Sequence, residues 1–112
     1  MSKKYLGYLG EKIALKYYQQ NGFVLLKKNY LTRAGELDLV LKKNKVFYGI
    51  EVKTRTSYQY GFAEEMINAH KIMKMKKACH SFSATADWRL EIIIIYLQNK
   101  QAKIKIFPIN DC

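Results

Sequence analysis

The chain has 112 residues, of which 49% are hydrophobic, and its 20 lysines and arginines outnumber its nine acidic residues to give a formal charge of +11. This length leaves room for one domain over residues 1–112, and the hydrophobic content excludes an intrinsically disordered chain. The positive charge predicts an anionic partner, nucleic acid rather than a membrane surface, although a lysine-rich proteome would produce the same balance.

The cysteines and the apolar segments predict a cytoplasmic protein. Two cysteines, Cys79 and Cys112, do not make a disulfide framework. The first residues, Met-Ser-Lys-Lys-Tyr, lack the apolar run of a signal peptide. The longest strongly apolar run, residues 92–97, is too short to cross a bilayer, so we expect no membrane partner.

Residues 3–20 predict a first helix, because Leu6, Leu9 and Ile13 recur at helical spacing. Glu11 lies on this helix beside small side chains that would let the helix approach a sheet. We therefore consider Glu11 a candidate metal ligand. An ordinary exposed helical glutamate is the alternative interpretation.

Residues 35–55 predict a β-hairpin with charged residues inside its strands. Successive side chains of a strand point to opposite faces. The apolar face would hold Leu37, Leu39, Leu41, Ile50 and Val52. The other face would hold Glu36, Asp38, Glu51 and Lys53.

The turn of this hairpin sets which charges meet. A two-residue turn at Lys43-Asn44 and a four-residue loop over residues 42–45 give the same register, in which Glu36 lies opposite Glu51 and Asp38 lies opposite Gly49. Asp38 and Glu51 are then diagonal neighbours with α-carbons roughly 7–8 Å apart. Gly49 would leave room for an ion between them.

Carboxylates this close together repel one another unless a cation neutralises them or a proton is shared. Oxygen ligands suit Mg²⁺ or Mn²⁺, with Asp38 and Glu51 as the central pair and Glu36 as an additional acidic residue. Lys53 would orient a water or stabilise charge that develops on a phosphate. The alternative is an exposed sheet face in which Lys53 only bridges Glu36 and Glu51.

Loops and a helix surround the hairpin with basic residues. A strand over residues 23–26 precedes a loop that carries Arg33, and the loop after the hairpin carries Arg55 together with Tyr58 and Tyr60. Basic and aromatic residues in these places suit a phosphate backbone, and solvated loop charge is the alternative.

Residues 63–82 predict a second helix. Its core side would carry Met66, Ala69, Ile72, Met73 and Cys79. Its opposite side would carry His70, Lys74 and Lys77, with Lys71 between the two. We expect the nucleic-acid contacts to come from Arg33, Arg55, Lys71, Lys74 and Lys77.

Two strands complete the predicted domain. The β-branched run within residues 88–97 predicts a strand that is buried on both faces. A last strand over residues 104–109 contains Pro108, which favours the edge of a sheet. A helix between the third and fourth strands permits a parallel crossover, so the order predicts one α/β domain.

Four segments carry a family resemblance: Gly-Glu-Leu-Asp-Leu-Val (35–40), Ile-Glu-Val-Lys-Thr-Arg (50–55), Tyr-Gly-Phe-Ala-Glu-Glu (60–65) and Lys71. Together they resemble the YraN-type family of the PD-(D/E)xK nuclease superfamily, which is related to archaeal Holliday-junction resolvases. The resemblance covers roughly residues 5–96. One departure is Arg89-Leu90-Glu91, where the family usually carries Arg-Phe-Asp.

The resemblance implies a restriction-endonuclease-like αβββαβ core, a mixed central sheet flanked by helices, and an extra C-terminal edge strand. It implies metal-dependent cleavage of DNA, with branched or junction DNA as a candidate substrate, Asp38 and Glu51 as metal ligands and Lys53 as the catalytic lysine. Glu11 matches the family's glutamate on the first helix. Junction-cleaving relatives work as dimers, which implies a homodimer.

Two other functions fit the same residues. One is a nucleic-acid-binding module that has the nuclease fold and little or no cleavage activity. The other is a partner-binding protein whose acidic patch pairs internally. Holding clustered carboxylates serves cleavage better than binding, so the nuclease is the leading hypothesis.

Overall fold

A computed structural model describes residues 2–56 and 68–109. Within these two ranges, two helices and five strands form a single α/β domain. In chain order they are α1 (Lys3–Gln20), β1 (Val24–Leu31), β2 (Glu36–Lys43), β3 (Val46–Arg55), α2 (Ala69–Phe82), β4 (Asp87–Gln98) and β5 (Gln101–Ile109).

The five strands form one mixed sheet in the order β1-β2-β3-β4-β5. Among the described strands, β3 and β4 are the one parallel pair, and α2 lies on the crossover between them. The other neighbours pair antiparallel. This arrangement confirms the mixed sheet and the additional edge strand, and Pro108 lies on that edge strand, β5, as expected.

The sheet separates two hydrophobic cores, one beneath each helix. On β4, Ile93 and Ile95 face α1, whereas Ile92 and Ile94 face α2, and all four are fully buried. A strand covered on both faces has no polar side, which explains the continuous isoleucine run. Within the described residues, neither helix combines the length and apolar character needed to cross a bilayer.

Helix α1 packs closely against β3. The Ser2 side chain caps its start by accepting a hydrogen bond from the Tyr5 amide at 3.1 Å. At Gly10 the helix backbone comes so near that a β-carbon would lie 1.8 Å from Oγ1 of Thr54. Gly10 therefore fixes how closely the next residue, Glu11, approaches the sheet.

The predicted register of the hairpin was wrong by two residues. Strand β2 pairs with β3 through Lys43↔Val46 and Leu39↔Ile50, so the turn consists of Asn44 and Lys45. Asn44 adopts φ of 57°, a left-handed conformation that asparagine tolerates.

A shift of two residues exchanges partners without exchanging faces. Gly49 therefore lies opposite Val40 rather than Asp38. The space beside Gly49 is also filled, because a β-carbon there would lie 2.8 Å from the Cys79 sulfur and 3.0 Å from Leu90. Gly49 makes room for core side chains and not for an ion.

The predicted face of Leu37 was also wrong. Leu37 packs with Val40 in the core beneath α2, while Leu39 and Leu41 pack beneath α1. The alternation along β2 breaks between Leu37 and Leu39, just beyond the last residue pair that β2 forms with β3. Asp38 lies at this break.

Two other boundaries differ from expectation. Strand β1 continues to Leu31, well beyond the expected end at residue 26. Helix α2 begins at Ala69 after the cap residue Asn68, whose side chain accepts a hydrogen bond from the Lys71 amide. Residues 57–67, which include Tyr58, Tyr60 and Met66, lie outside the described residues.

The buried side of α2 is formed by Met75, Ala78 and Cys79. Ala69 and Met73, which were expected in the core, are exposed, and 47% of the Met73 surface is accessible. Helix α2 is therefore rotated relative to the prediction.

Candidate active site

The loop between β1 and β2 is held by one threonine. Oγ1 of Thr32 accepts hydrogen bonds from the amides of Ala34 and Gly35 and donates to the Gly35 carbonyl at 2.7 Å. A β-carbon on Gly35 would lie 2.8 Å from the carbonyl oxygen of Lys74, so this loop packs directly against α2. Arg33, at the tip, is exposed.

Asp38 lies where β2 and β3 separate. Its Oδ2 accepts a hydrogen bond of 2.7 Å from the Val52 amide, which ties the two strands together. Burial, with smaller contributions from the charges of Glu11, Glu51 and Glu36, raises the pKa of Asp38 to about 6 against the opposing effect of the Val52 hydrogen bond. The charges of three other acidic groups therefore act on Asp38 at this point.

Glu51 points to the α2 side of the sheet and meets a lysine. Its Oε2 lies 2.5 Å from Nζ of Lys71, in an ion pair whose side chains are 15% and 24% exposed, respectively. The contact is close, yet this buried oxygen has no hydrogen bond of good geometry within the described part of the chain.

Lys53 lies next to this ion pair. Burial lowers the pKa of the Lys53 ammonium, the charge of Glu51 raises it, and the charge of Lys71 lowers it. Glu51, Lys53 and Lys71 therefore form one interacting group. Lys53 does not need to bridge Glu36 and Glu51, because Lys71 already neutralises Glu51.

Glu11 reaches the same region from α1. Burial raises the pKa of Glu11, while the charge of Lys28 lowers it and that of Glu36 raises it. Among the neighbouring charges, that of Glu11 has the largest effect on Asp38. Lys28, on β1, is a neighbour of the site that the sequence did not indicate, because the strand was expected to end at residue 26.

A cleft of about 510 Å³ opens between the Thr32–Gly35 loop and α2. Three of the five expected phosphate-binding residues line it, namely Arg33, Lys71 and Lys74. Glu36 and Glu51 line the same cleft. The cleft therefore brings basic and acidic candidates onto one surface.

The other two expected phosphate-binding residues lie elsewhere. Lys77 lines a neighbouring cleft of about 400 Å³ together with Ala34 and Met73. Arg55 donates a hydrogen bond of 2.9 Å to the carbonyl of its own neighbour, Thr54. Arg55 thus lies at the end of β3, two residues beyond Lys53.

The carboxylates fit a divalent cation in part. Across residues 2–56 and 68–109, no three His, Cys, Asp or Glu side chains are grouped tightly enough to hold a metal. The expected ligands Asp38, Glu51 and Glu11 therefore do not form one compact set. Asp38 and Glu51 still offer hard oxygen donors, although Oε2 of Glu51 is engaged by the Lys71 ammonium rather than by an aligned hydrogen bond. Mg²⁺ commonly binds one or two carboxylates and fills its other positions with water and phosphate.

Glu91 occupies a different place. Its Oε1 accepts a hydrogen bond of 2.8 Å from the Tyr18 hydroxyl, beneath α1. Burial raises the pKa of Glu91, and this hydrogen bond lowers it. Glu91 therefore links α1 to β4, because its side chain is hydrogen-bonded to a tyrosine of the helix.

Comparison with known proteins identifies the family. The profile of the uncharacterised protein family UPF0102 matches residues 10–95, which is most of the chain. The chain belongs to this family. The match confirms the YraN-type resemblance inferred from the four sequence segments.

Two relatives illustrate the similarity within UPF0102. The family member of Caldanaerobacter subterraneus subsp. tengcongensis is 35% identical over 111 residues, which cover 94% of this chain and 90% of the relative. The member from Syntrophomonas wolfei is 44% identical over 104 residues, which cover 88% and 90%.

A solved structure shares the fold. Hjc from Archaeoglobus fulgidus, a Holliday junction resolvase, superposes with a TM-score of 0.54 at 18% identity, covering 88% of this chain and 72% of that chain. At this identity the likeness shows the fold alone. It confirms that this UPF0102 protein has the α/β architecture expected from the sequence.

Proposed function

We propose that this protein is a metal-dependent nuclease that cleaves DNA phosphodiester bonds, and that branched or junction DNA is its substrate. The observation that supports the proposal is the hydrogen bond from the Val52 amide to Asp38, which holds Asp38 beside the part of β3 that carries Glu51 and Lys53. The fold, shared with a Holliday junction resolvase, supports the same class of substrate.

Each residue has a defined role in this proposal. Asp38 and Glu51 would hold Mg²⁺ or Mn²⁺, with Glu11 and Glu36 adding negative charge around the ion. Such an ion supplies a Lewis acid for the scissile phosphate and a water of lowered pKa. Lys53 would orient the attacking water or stabilise the charge that develops on the phosphate.

The electrostatics of Asp38 support a cation site. A carboxylate whose pKa is raised by burial and by three neighbouring acids is unfavourable as an isolated anion. A divalent cation at Asp38 and Glu51 would remove that penalty and stabilise the fold by mass action. The raised pKa of Asp38 therefore supports the proposed cation site.

The basic residues would bind the DNA backbone. Arg33, Lys71 and Lys74 line the cleft beside Glu51, and we propose that they contact phosphates, together with Lys77 and Arg55 at its margins. We further propose that the protein acts in the cytoplasm as a homodimer, because one small domain offers little surface for holding a junction.

A second function has one observation in its favour. The ion pair of Glu51 with Lys71 neutralises a proposed metal ligand inside the protein. A chain that binds branched DNA without cutting it would tolerate such a pair permanently. The alternative is therefore a nucleic-acid-binding module with the nuclease fold.

One experiment separates the two functions. Purified protein is incubated with linear, nicked, flapped and four-way-junction DNA in Mg²⁺, Mn²⁺ or EDTA, and cleavage and binding are measured on the same substrates. We expect cleavage with either metal and none in EDTA. Asp38→Asn should abolish cleavage and leave binding intact, which also excludes a contaminating nuclease. Tight binding with no cleavage of any substrate would favour the binding module.

A further inference from the structure

Lys71 occupies the position of a counter-ion inside the proposed site. Its Nζ lies 2.5 Å from Oε2 of Glu51, and both side chains are largely buried. The backbone of Lys71 is fixed in the first turn of α2, because its amide donates a hydrogen bond of 2.9 Å to the side chain of Asn68. The lysine is therefore held at Glu51 from a rigid position.

A divalent ion and an ammonium compete for the same carboxylate oxygen. Mg²⁺ binds oxygen ligands at about 2.0–2.1 Å. An ion bound to Oε2 of Glu51 would lie within a few ångströms of the Lys71 ammonium, and like charges repel strongly at that separation in a partly buried site. The divalent ion and the Lys71 ammonium therefore cannot both stay in contact with Oε2 of Glu51.

The Lys71 ammonium has an alternative position within the neighbouring cleft. The cleft of about 510 Å³ is lined by Lys71 itself and by Lys74 and Arg33, which are the residues proposed to contact phosphates. The flexible four-carbon stem of lysine lets the ammonium change partners without a change in α2. An anionic phosphate in the cleft would replace the carboxylate as its partner.

We infer that Lys71 is an exchangeable counter-ion: it pairs with Glu51 in the metal-free protein, and divalent cation displaces it toward the substrate phosphate. This inference rests on the proposed function and names how the same site is regulated. Glu51 is neutralised in both states, by Lys71 in one and by the cation in the other. A buried carboxylate is therefore never left without a partner, which would be costly.

The exchange couples metal to DNA. Cation binding frees one positive charge for a phosphate, and a bound phosphate draws Lys71 away from Glu51. By thermodynamic reciprocity, each ligand then raises the affinity for the other. A permanent Lys71–Glu51 pair would produce no such coupling.

The test measures metal affinity rather than activity. Binding of Mn²⁺ in the absence of DNA is followed by calorimetry and by electron paramagnetic resonance for wild type, Lys71→Met and Lys74→Met. Lys74 is the matched control, because it lies on the same helix and lines the same cleft but is exposed. Both variants lose one positive charge, and only Lys71→Met removes the competitor.

We expect Lys71→Met to bind Mn²⁺ more tightly than wild type, on the order of tenfold, while Lys74→Met changes the affinity by about twofold or less. In EDTA, Lys71→Met should also unfold at a lower temperature than wild type, and Mn²⁺ should restore it. Lys71→Gln is a second variant in case the methionine disturbs folding.

Two results would overturn the inference alone. If wild type binds Mn²⁺ and Lys71→Met binds it equally or more weakly, Lys71 positions Glu51 instead of competing for it. If Lys74→Met tightens binding as much as Lys71→Met, the effect is only general electrostatics. If wild type and all variants fail to bind Mn²⁺, the metal site of the proposed function fails together with this inference.

Discussion

The fold excludes much of the water from around the Asp38 carboxylate. Burial and three neighbouring acids raise its pKa to about 6, whereas an aspartate in an unfolded chain titrates near 3.9. The folded protein therefore binds more protons than the unfolded chain between these two values. In that window the free energy of unfolding falls as pH rises.

This difference gives a prediction for stability in EDTA. From about pH 4 to pH 6, the free energy of unfolding of wild type should decrease, by on the order of 1–2 kcal/mol for Asp38 after screening by solvent. Asp38→Asn keeps an oxygen that can accept from the Val52 amide but has no charge, so it should lose that part of the decrease. Urea unfolding across this pH range measures both proteins.

Because Glu11 and Glu91 also have raised pKa values, some pH dependence will persist in Asp38→Asn. The difference between the two proteins isolates Asp38. Parallel curves for wild type and variant would contradict the raised pKa. Saturating Mn²⁺ should stabilise wild type more than Asp38→Asn, and so reverse the order of their stabilities in EDTA, because only wild type offers the carboxylate to the ion.

At the same scale, the sequence indicated candidate residues for the site but not how their side chains pair. Strand alternation indicated that Asp38, Glu51 and Lys53 would act together, and a register error of two residues left that face unchanged. The error arose because a turn that begins at Lys43 and a turn that begins at Asn44 are equally compatible with this lysine-rich sequence. The ion pair between Lys71 and Glu51 was not foreseen, since it depends on how α2 crosses the sheet.

Among the elements, α1 determines how Glu11 reaches the site. A β-carbon at Gly10 would lie 1.8 Å from Oγ1 and 3.0 Å from Cβ of Thr54, whereas one at Gly7 would have no neighbour within 4 Å. These two glycines lie on the same helix and differ in their distance from the sheet. They form a matched pair for substitution.

Gly7→Ala should stabilise the protein by up to about 1 kcal/mol, because alanine is the better helix former and no clash opposes it. Gly10→Ala should destabilise it, because α1 must move away from β3 or Thr54 must move. Glu11 would be displaced with the helix, so Gly10→Ala should also weaken Mn²⁺ binding. Thermal unfolding and calorimetry measure both effects, and equal behaviour of the two variants would contradict the close packing at Gly10.

Helix α2 shows where prediction of an element failed. The sequence indicated the helix, but its buried face is Met75, Ala78 and Cys79, and Met73 is exposed. The helix carries apolar residues on more than one side, so periodicity alone did not fix its rotation. The packing of the Gly35 backbone against Lys74 helps to fix it in the structure.

For the whole molecule, the order of elements and the mixed sheet could be predicted, because the isoleucine run and Pro108 mark a central and an edge strand.

The formal charge of +11 predicts that the affinity of the molecule for DNA depends on salt. Binding that neutralises several phosphates releases counter-ions, so the affinity should fall steeply with salt.

Individual lysines should contribute separately to this dependence. Lys74→Ala and Lys77→Ala should each lower the slope of the logarithm of affinity against the logarithm of salt concentration by about one. Lys16→Ala, an exposed substitution on α1 that does not line the cleft, should leave the slope nearly unchanged. Fluorescence anisotropy with junction DNA measures all three, and equal slopes would place the DNA elsewhere on the surface.

The rate of cleavage at saturating protein tests the central claim most directly. Single-turnover cleavage of four-way-junction DNA in Mn²⁺ is compared for wild type, Lys53→Ala and Lys74→Ala. Loss of one electrostatic contact in the transition state should slow Lys53→Ala by roughly 10²–10³-fold and change its DNA affinity little. Lys74→Ala should bind more weakly and, once saturated, cut at the wild-type rate. If Lys53→Ala cuts as fast as wild type, the site formed by Asp38, Glu51 and Lys53 does not perform the reaction.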